Sequence, residues 1–208
     1  LDADPQALAT GLASDPWLGV ALRRHPGLRV PGTWDGFELA VRAILGQQVS
    51  VRAATTIAGR LVARCAEPAA APSHRHTPLP NGRVALPRLQ PFPSPARLAI
   101  ANLDSLGLTG GRAHTVTEFA RAVAAGHLTL DPGQDAATLR ATLCALPGIG
   151  PWTAEYIALR ALRDPDAFPA SDLGLRRAFG ALQSRVGARS SSPAAARLVS
   201  ESALLRAA

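Results

Sequence analysis

The 208-residue chain contains no lysine: all 22 of its basic residues are arginine. It therefore has no side-chain amine for Schiff-base chemistry, which excludes any mechanism that needs a lysine nucleophile. Its two cysteines, Cys65 and Cys144, are too few for a four-thiolate zinc site or an iron-sulfur cluster. A reduced, cytoplasmic protein is the expected class. No apolar run approaches the roughly eighteen residues of a membrane span, so no membrane partner is expected. The start, Leu1 to Pro5, has neither the basic nor the apolar part of a signal peptide. Methionine is absent too, so a chain opening at Leu1 reads as a piece of something longer.

What is present is a chain 47% hydrophobic and 18% charged, the balance of one globular unit or two small lobes around a real core. Fifteen acidic residues leave a formal charge of +7, which points to a polyanionic partner, although GC-rich coding also favours arginine. Apolar residues recur at helical spacing over Trp34–Gln48 and Ser50–Cys65, and again over 95–102, 112–125, 135–146, 151–163, 172–182 and 193–206. Several of these runs open with Pro or Asp in the first turn, as helices do. Period-two alternation is nowhere sustained, so the expected class is all-α. The stretch 67–95 holds eight prolines and reads as a long exposed connection.

The segment Leu146-Pro-Gly-Ile-Gly-Pro-Trp-Thr-Ala-Glu-Tyr156 predicts a helix end, a tight turn and a helix restart at Pro151. Gly148 and Gly150 let the backbone approach a ligand, and the new helix offers unpaired N–H groups and a positive dipole end, which suits phosphate oxygens. An ordinary helix corner has the same local sequence. Asp172, in Phe168-Pro-Ala-Ser-Asp-Leu-Gly-Leu-Arg176, is a lone carboxylate at the start of an apolar helix, where a helix cap is the bland alternative to catalysis. Glu38 and Glu155 fall in helix interiors and suit structural pairs with arginine.

Taken together, the Gly-x-Gly turn, Asp172, the run Pro26-Gly-Leu-Arg-Val-Pro-Gly32, and Val41-Arg-Ala-Ile-Leu-Gly-Gln-Gln-Val-Ser-Val51 resemble the helix-hairpin-helix DNA glycosylase superfamily, specifically its bacterial DNA-3-methyladenine glycosylase II branch. Phe92-Pro-Ser-Pro95 and Leu106-Gly107 add to the likeness, which spans about 26–179. The resemblance implies a two-lobed all-α glycosylase fold with a cleft between the lobes. One lobe would be a helical bundle at 33–164, with the hairpin at about 139–162, and the other would combine 1–32 with 165–208. The branch's amino-terminal sheet domain would be lacking, ending near Leu1.

The same resemblance implies roles. Asp172 would be the catalytic carboxylate, and Trp152 and Tyr156 would line the base pocket. Gly148, Gly150, Thr153 and Gln48 would contact DNA. The carbonyls of Cys144, Leu146 and Ile149 would hold a monovalent cation, Na⁺ or K⁺, with no cofactor required. Trp152 stands where bifunctional members carry a lysine, so the implied reaction is hydrolysis of the N-glycosidic bond of an alkylated, 3-methyladenine-like base, without strand cleavage. The expected partner is damaged double-stranded DNA, met by a monomer in a bacterial cytosol. Two departures stand out. The position of the family's apolar duplex wedge holds Gly110, with Leu108 nearby, and the late aromatic motif is missing from Arg197–Arg206. A non-catalytic helix-hairpin-helix module, a domain of an alkylation-response regulator and an Arg-rich scaffold are the alternatives.

Overall fold

The computed structural model describes residues 4–15, 18–65 and 90–187, with Ser200, Ser202 and Leu205. All regular structure among the described residues is helical. The chain divides into two units, Thr33–Phe168 and Leu1–Gly32 with Pro169–Ala208. The second junction falls four residues beyond the expected Asp164. The Phe168 amide explains this, since it donates to Glu155 Oε2 at 3.2 Å and belongs with the first of these units.

In the larger unit, α3 (Gly36–Leu45) is the central helix. It starts where it does because Asp35 accepts the Glu38 amide at 3.0 Å, and Glu38 in turn pairs with Arg42 at 2.7 Å, one turn on. Phe37, Ala40, Val41, Ile44 and Leu45 are buried at the spacing of one helix face. Full burial of each large side chain contributes about 1.5–3 kcal/mol. Around α3 lie α4 (Val51–Cys65), α5 (Pro95–Ala99), α6 (Gly110–Ala124), α7 (Ala136–Ala145) and α8 (Pro151–Ile157), and their Leu61, Leu98, Val116, Phe119, Leu139, Leu143 and Ile157 complete the core. Phe119 stacks on Phe37 at 5.6 Å, and Phe92 meets Phe37 edge-on at 6.2 Å. Cys65 is buried in this core, and burial pushes its thiol pKa up against the lowering influence of Arg97 and Arg64.

Two helix limits depart from the sequence pattern. α6 begins at Gly110, two residues early, because the Thr109 hydroxyl caps the Arg112 amide at 3.3 Å. Leu108, just before it, is half-buried against the core. The helix expected over 151–163 is α-helical only to Ile157, and Ala158–Leu162 winds on as a π turn that ends at Arg163, whose φ is +59°.

In the other unit, α1 (Pro5–Leu12) opens on an Asp4 cap and packs against α2 (Leu18–Arg24), whose first amide donates to Asp15 at 2.6 Å. The long helix α9 (Leu173–Gly187) follows Asp172. The expected helix at 193–206 lies almost wholly outside the described residues, and so does the Pro-rich connection apart from 90–95.

Candidate nucleic-acid interface and base pocket

The hairpin is α7, a five-residue turn and α8. Asp135 caps α7 by accepting the Thr138 amide at 2.7 Å, and hydrogen bonds from Thr138 hold its carboxyl pKa below the usual value. α7 ends as Leu146 turns extended, and the Ile149 amide donates back to the Leu146 carbonyl at 3.3 Å. Gly148 takes φ +81°, a region that side chains rarely adopt, and a β-carbon there would overlap Thr115 Oγ1 on α6. Gly150 is extended and its missing β-carbon faces open space. Pro151 occupies the first helical position, where its missing N–H loses nothing.

Thr153 lies elsewhere than the resemblance implies. It is only 3% exposed, and its hydroxyl accepts from Gln47 Nε2 at 3.0 Å. The same amide nitrogen donates to the Gly148 carbonyl at 3.1 Å, and the Gln47 carbonyl accepts from Arg112 at 2.6 Å. Thr153 and Gln47 thus brace the hairpin from within instead of facing a ligand. Gln48 is exposed on the turn after α3, with φ +57°. A left-handed non-glycine residue of this kind marks a backbone held by its surroundings.

Trp152 and Tyr156, one turn apart on α8, stack at 5.4 Å and 13°. They line a pocket of about 450 Å³ together with Leu39, Arg42, Ala43, Gly46 and Arg160, closed by the start of α4. The Arg160 guanidinium lies over the Tyr156 ring at 5.5 Å and donates to its hydroxyl at 3.1 Å. Trp152 precedes Tyr156 by one turn and Arg160 follows it by one, so both are its neighbours along one helix face. Both aromatics line the pocket, and the tyrosine hydroxyl oxygen is held by the Arg160 guanidinium.

Behind the pocket, Arg140 of α7 pairs with Glu155 at 2.9 Å and with Asp164. Burial opposes the charge on Arg140, yet its bonds to Asp164 and Glu155 carry the guanidinium pKa above its ordinary value. Glu155 is thus a structural pair, as its helix-interior position predicts. The carbonyls of Cys144, Leu146 and Ile149 lie in the last turn of α7 and in the hairpin turn. The Leu146 carbonyl accepts the Ile149 amide at 3.3 Å, and carbonyl oxygens are donors of the kind a weakly charged, hard cation takes.

In the other unit, Asp172 closes the turn before α9. Its amide donates to Pro169 at 2.8 Å and its Oδ1 accepts the Leu175 amide at 2.9 Å. It is a helix cap, with its carboxylate orientation fixed by that bond.

Residues 41–200 match the model of the "HhH-GPD superfamily base excision DNA repair protein". The chain belongs to that superfamily. Residues 1–35 match a second model, the AlkA N-terminal domain, so the match to that domain reaches into the chain instead of ending near Leu1, and the described residues of the stretch form α1 and α2. A Mycobacterium tuberculosis protein described as "Probable bifunctional transcriptional activator/DNA repair enzyme AlkA" is 47% identical over 86% of this chain, and Escherichia coli DNA-3-methyladenine glycosylase 2 is 37% identical over 86%. The chain spans 34% of the first and 57% of the second. Among solved HhH-GPD folds, a 3-methyladenine DNA-glycosylase from Archaeoglobus fulgidus superposes with a TM-score of 0.70 at 24% identity, covering 98% of this chain and 62% of that one.

The superfamily's motifs led to the pocket aromatics and the hairpin, but Gln47, Arg112 and Arg160 were missed. Helical phase could have redirected Thr153, because it shares its face with buried Ile157 one turn on. Nothing in the sequence distinguishes Gln47 from Gln48.

Proposed function

We propose that the chain is the catalytic part of a monofunctional DNA glycosylase. It would act as a monomer on double-stranded DNA, take an alkylated, 3-methyladenine-like base into the Trp152/Tyr156 pocket, hydrolyse the N-glycosidic bond and leave an abasic site. The observation that carries this reading is that the aromatic pocket begins two residues past the Gly-x-Gly turn of a helix-hairpin-helix, so one element can grip phosphate and hold an extruded base.

Gly148 and Gly150 would donate backbone N–H groups to phosphate oxygens, with a Na⁺ or K⁺ on the carbonyls of Cys144, Leu146 and Ile149 adding positive charge. Extrusion of the base costs a few kcal/mol, less where damage has already weakened pairing. As the bond to C1′ stretches, the sugar gains positive charge that the Asp172 carboxylate would stabilise. A unit charge pair at about 4 Å in an effective dielectric near 20 is worth roughly 4 kcal/mol, close to a thousandfold in rate. The water oxygen then bonds to C1′, the base departs with the electron pair of the broken bond, and water gives up a proton. With no lysine in the chain, no side-chain amine competes with that water.

Asp172→Asn tests the assignment, since it keeps a capping oxygen and removes the charge. Retained binding to methylated duplex with base release down about a thousandfold is expected, and unchanged release refutes the catalytic role. Binding that does not weaken steeply with salt would refute any nucleic-acid role, because phosphate contacts release counterions.

A further inference from the structure

Two elements besides its own helices hold the hairpin. The turn after α3 reaches it through Gln47, whose Nε2 donates to the Gly148 carbonyl at 3.1 Å and to the Thr153 hydroxyl at 3.0 Å. A side-chain amide has two N–H donors, and both are used here. Gly148 precedes Gly150 and Thr153 follows it, so one nitrogen clasps the chain on both flanks of that glycine. The Gly148–Ile149 peptide is held at its other edge as well, since a trans peptide points its N–H away from its carbonyl and the Ile149 amide donates to Leu146 at 3.3 Å. The second hold is the first turn of α6. Arg112 donates to the Gln47 backbone carbonyl at 2.6 Å, and Thr115, one turn on, fills the space a β-carbon at Gly148 would need. Arg112 is an unusual residue for that place, because a cation near a helix N-terminus opposes the helix dipole. Among the described residues no carboxylate pairs with it, and its buried Nε–H has no hydrogen-bond partner. A group left unsatisfied in this way lowers stability and calls for another reason to be there.

We propose that Gln47 is a positioning residue for the phosphate grip: braced by Arg112, it holds the Gly148–Gly150 turn in the form that presents its amides to a DNA phosphate. This rests on the reading that the hairpin binds DNA. A phosphate contact made equally before and during bond cleavage is uniform binding, so its loss weakens affinity and leaves the rate from the bound complex. One hydrogen bond to a charged group is worth about tenfold or more in affinity. Gly46, in the same turn as Gln47, lines the base pocket, but its own amide is held by the Arg42 carbonyl at 2.9 Å, so that wall does not depend on the Gln47 side chain.

The test makes two measurements on the 208-residue chain: affinity over a range of salt for a duplex carrying a tetrahydrofuran abasic-site analogue, and single-turnover release of 7-methylguanine from duplex DNA at saturating protein. Gln47→Met, which keeps the side-chain length and removes both donors, should weaken binding about tenfold, while release at saturation stays within about threefold of the parent. Arg112→Gln should also weaken binding, add nothing in the Gln47→Met background, and leave the salt dependence unchanged. An arginine that itself met a phosphate would instead lower the slope of log affinity against log salt by about 0.9. Thermal melts establish that each variant is folded, and should Gln47→Met fail to fold, Arg112→Gln decides. Unchanged binding in either folded variant, a loss confined to release at saturation, additive losses in the double variant, or a lowered slope in Arg112→Gln overturns the inference. Binding without base release by the unaltered chain refutes the glycosylase reading alone, and no binding refutes both.

Discussion

Replacing Gly148 with alanine puts two separable strains on the hairpin. Holding an alanine at φ +81° costs about 1–2 kcal/mol relative to glycine. The new β-carbon would also overlap Thr115 Oγ1 and lie 3.3 Å from both Cβ and Cγ2 of that residue. Relief requires Thr115 to rotate, which breaks its 3.0 Å bond to the Gly111 carbonyl, or the turn to move off α6. Overpacking of this kind costs about 1–3 kcal/mol. Gly148→Ala should therefore lose about 2–5 kcal/mol of stability, which for a chain of this length lowers Tm by roughly 4–20 °C. Thr115→Ala removes the overlapping oxygen and the methyl but leaves the positive φ. In the double variant about 1–2 kcal/mol should return as a coupling energy, with the dihedral cost still present. Urea unfolding of the four proteins measures all terms. Costs of the two single variants that add within 0.5 kcal/mol, or a Gly148→Ala protein as stable as the parent, would refute the contact between hairpin and α6.

Two further outcomes follow from named groups. Asp135 caps the first hairpin helix with its carboxyl pKa lowered, so its contribution is complete above its ordinary value of 3.8 and disappears as pH falls through the folded value. Asp135→Asn should therefore be less stable than the parent at pH 6, with the gap closing below about pH 4, and a gap independent of pH contradicts the assignment. Of the two cysteines, exposed Cys144 should react quickly with a chromogenic disulfide reagent in the native protein. Cys65, 1% exposed and with its thiol pKa raised by burial, should react only on unfolding. Rapid native titration of both thiols would show that the packing under α4 is wrong.

What the sequence revealed followed from local chemistry. Leu146-Pro-Gly-Ile-Gly150 specifies its turn because only glycine accepts the Gly148 dihedral and proline starts α8 at its first position. The buried faces of α3 and α4 follow from period 3.6 alone. Long-range contacts left no such trace. Gln47 and Gln48 are chemically identical neighbours, and only the left-handed bend at Gln48 sends one side chain to the hairpin and the other to solvent. Thr153 was misplaced because a hydroxyl beside a phosphate-binding turn suggests a ligand, whereas its helical phase points it inward. Asp172 satisfies the cap reading in the structure through Oδ1, and the Asp172→Asn comparison, which keeps a capping oxygen and removes the charge, measures whether that charge also serves catalysis.

The π turn at Ala158–Leu162 is where these strands meet. A π turn widens the backbone and is usually retained only where something else in the fold holds it. Arg140 supplies that hold, for its two carboxylate partners bracket the turn, Glu155 just before it and Asp164 just after. A guanidinium is suited to this because its planar fork can meet two carboxylates at once, which an ammonium point charge does less well. The bracketed turn contains Arg160, whose guanidinium lies against the Tyr156 ring four residues before it. Glu155 additionally accepts the Phe168 amide, so the same ion-pair cluster that shapes the pocket wall also anchors the end of its own unit. In a chain without lysine, arginine thus has two different duties in one helical unit. Arg140 is neutralised and structural, whereas Arg160 has no carboxylate partner among the described residues and faces the pocket. The bulk charge count cannot separate them, because the distinction lies in which guanidinium has a carboxylate beside it.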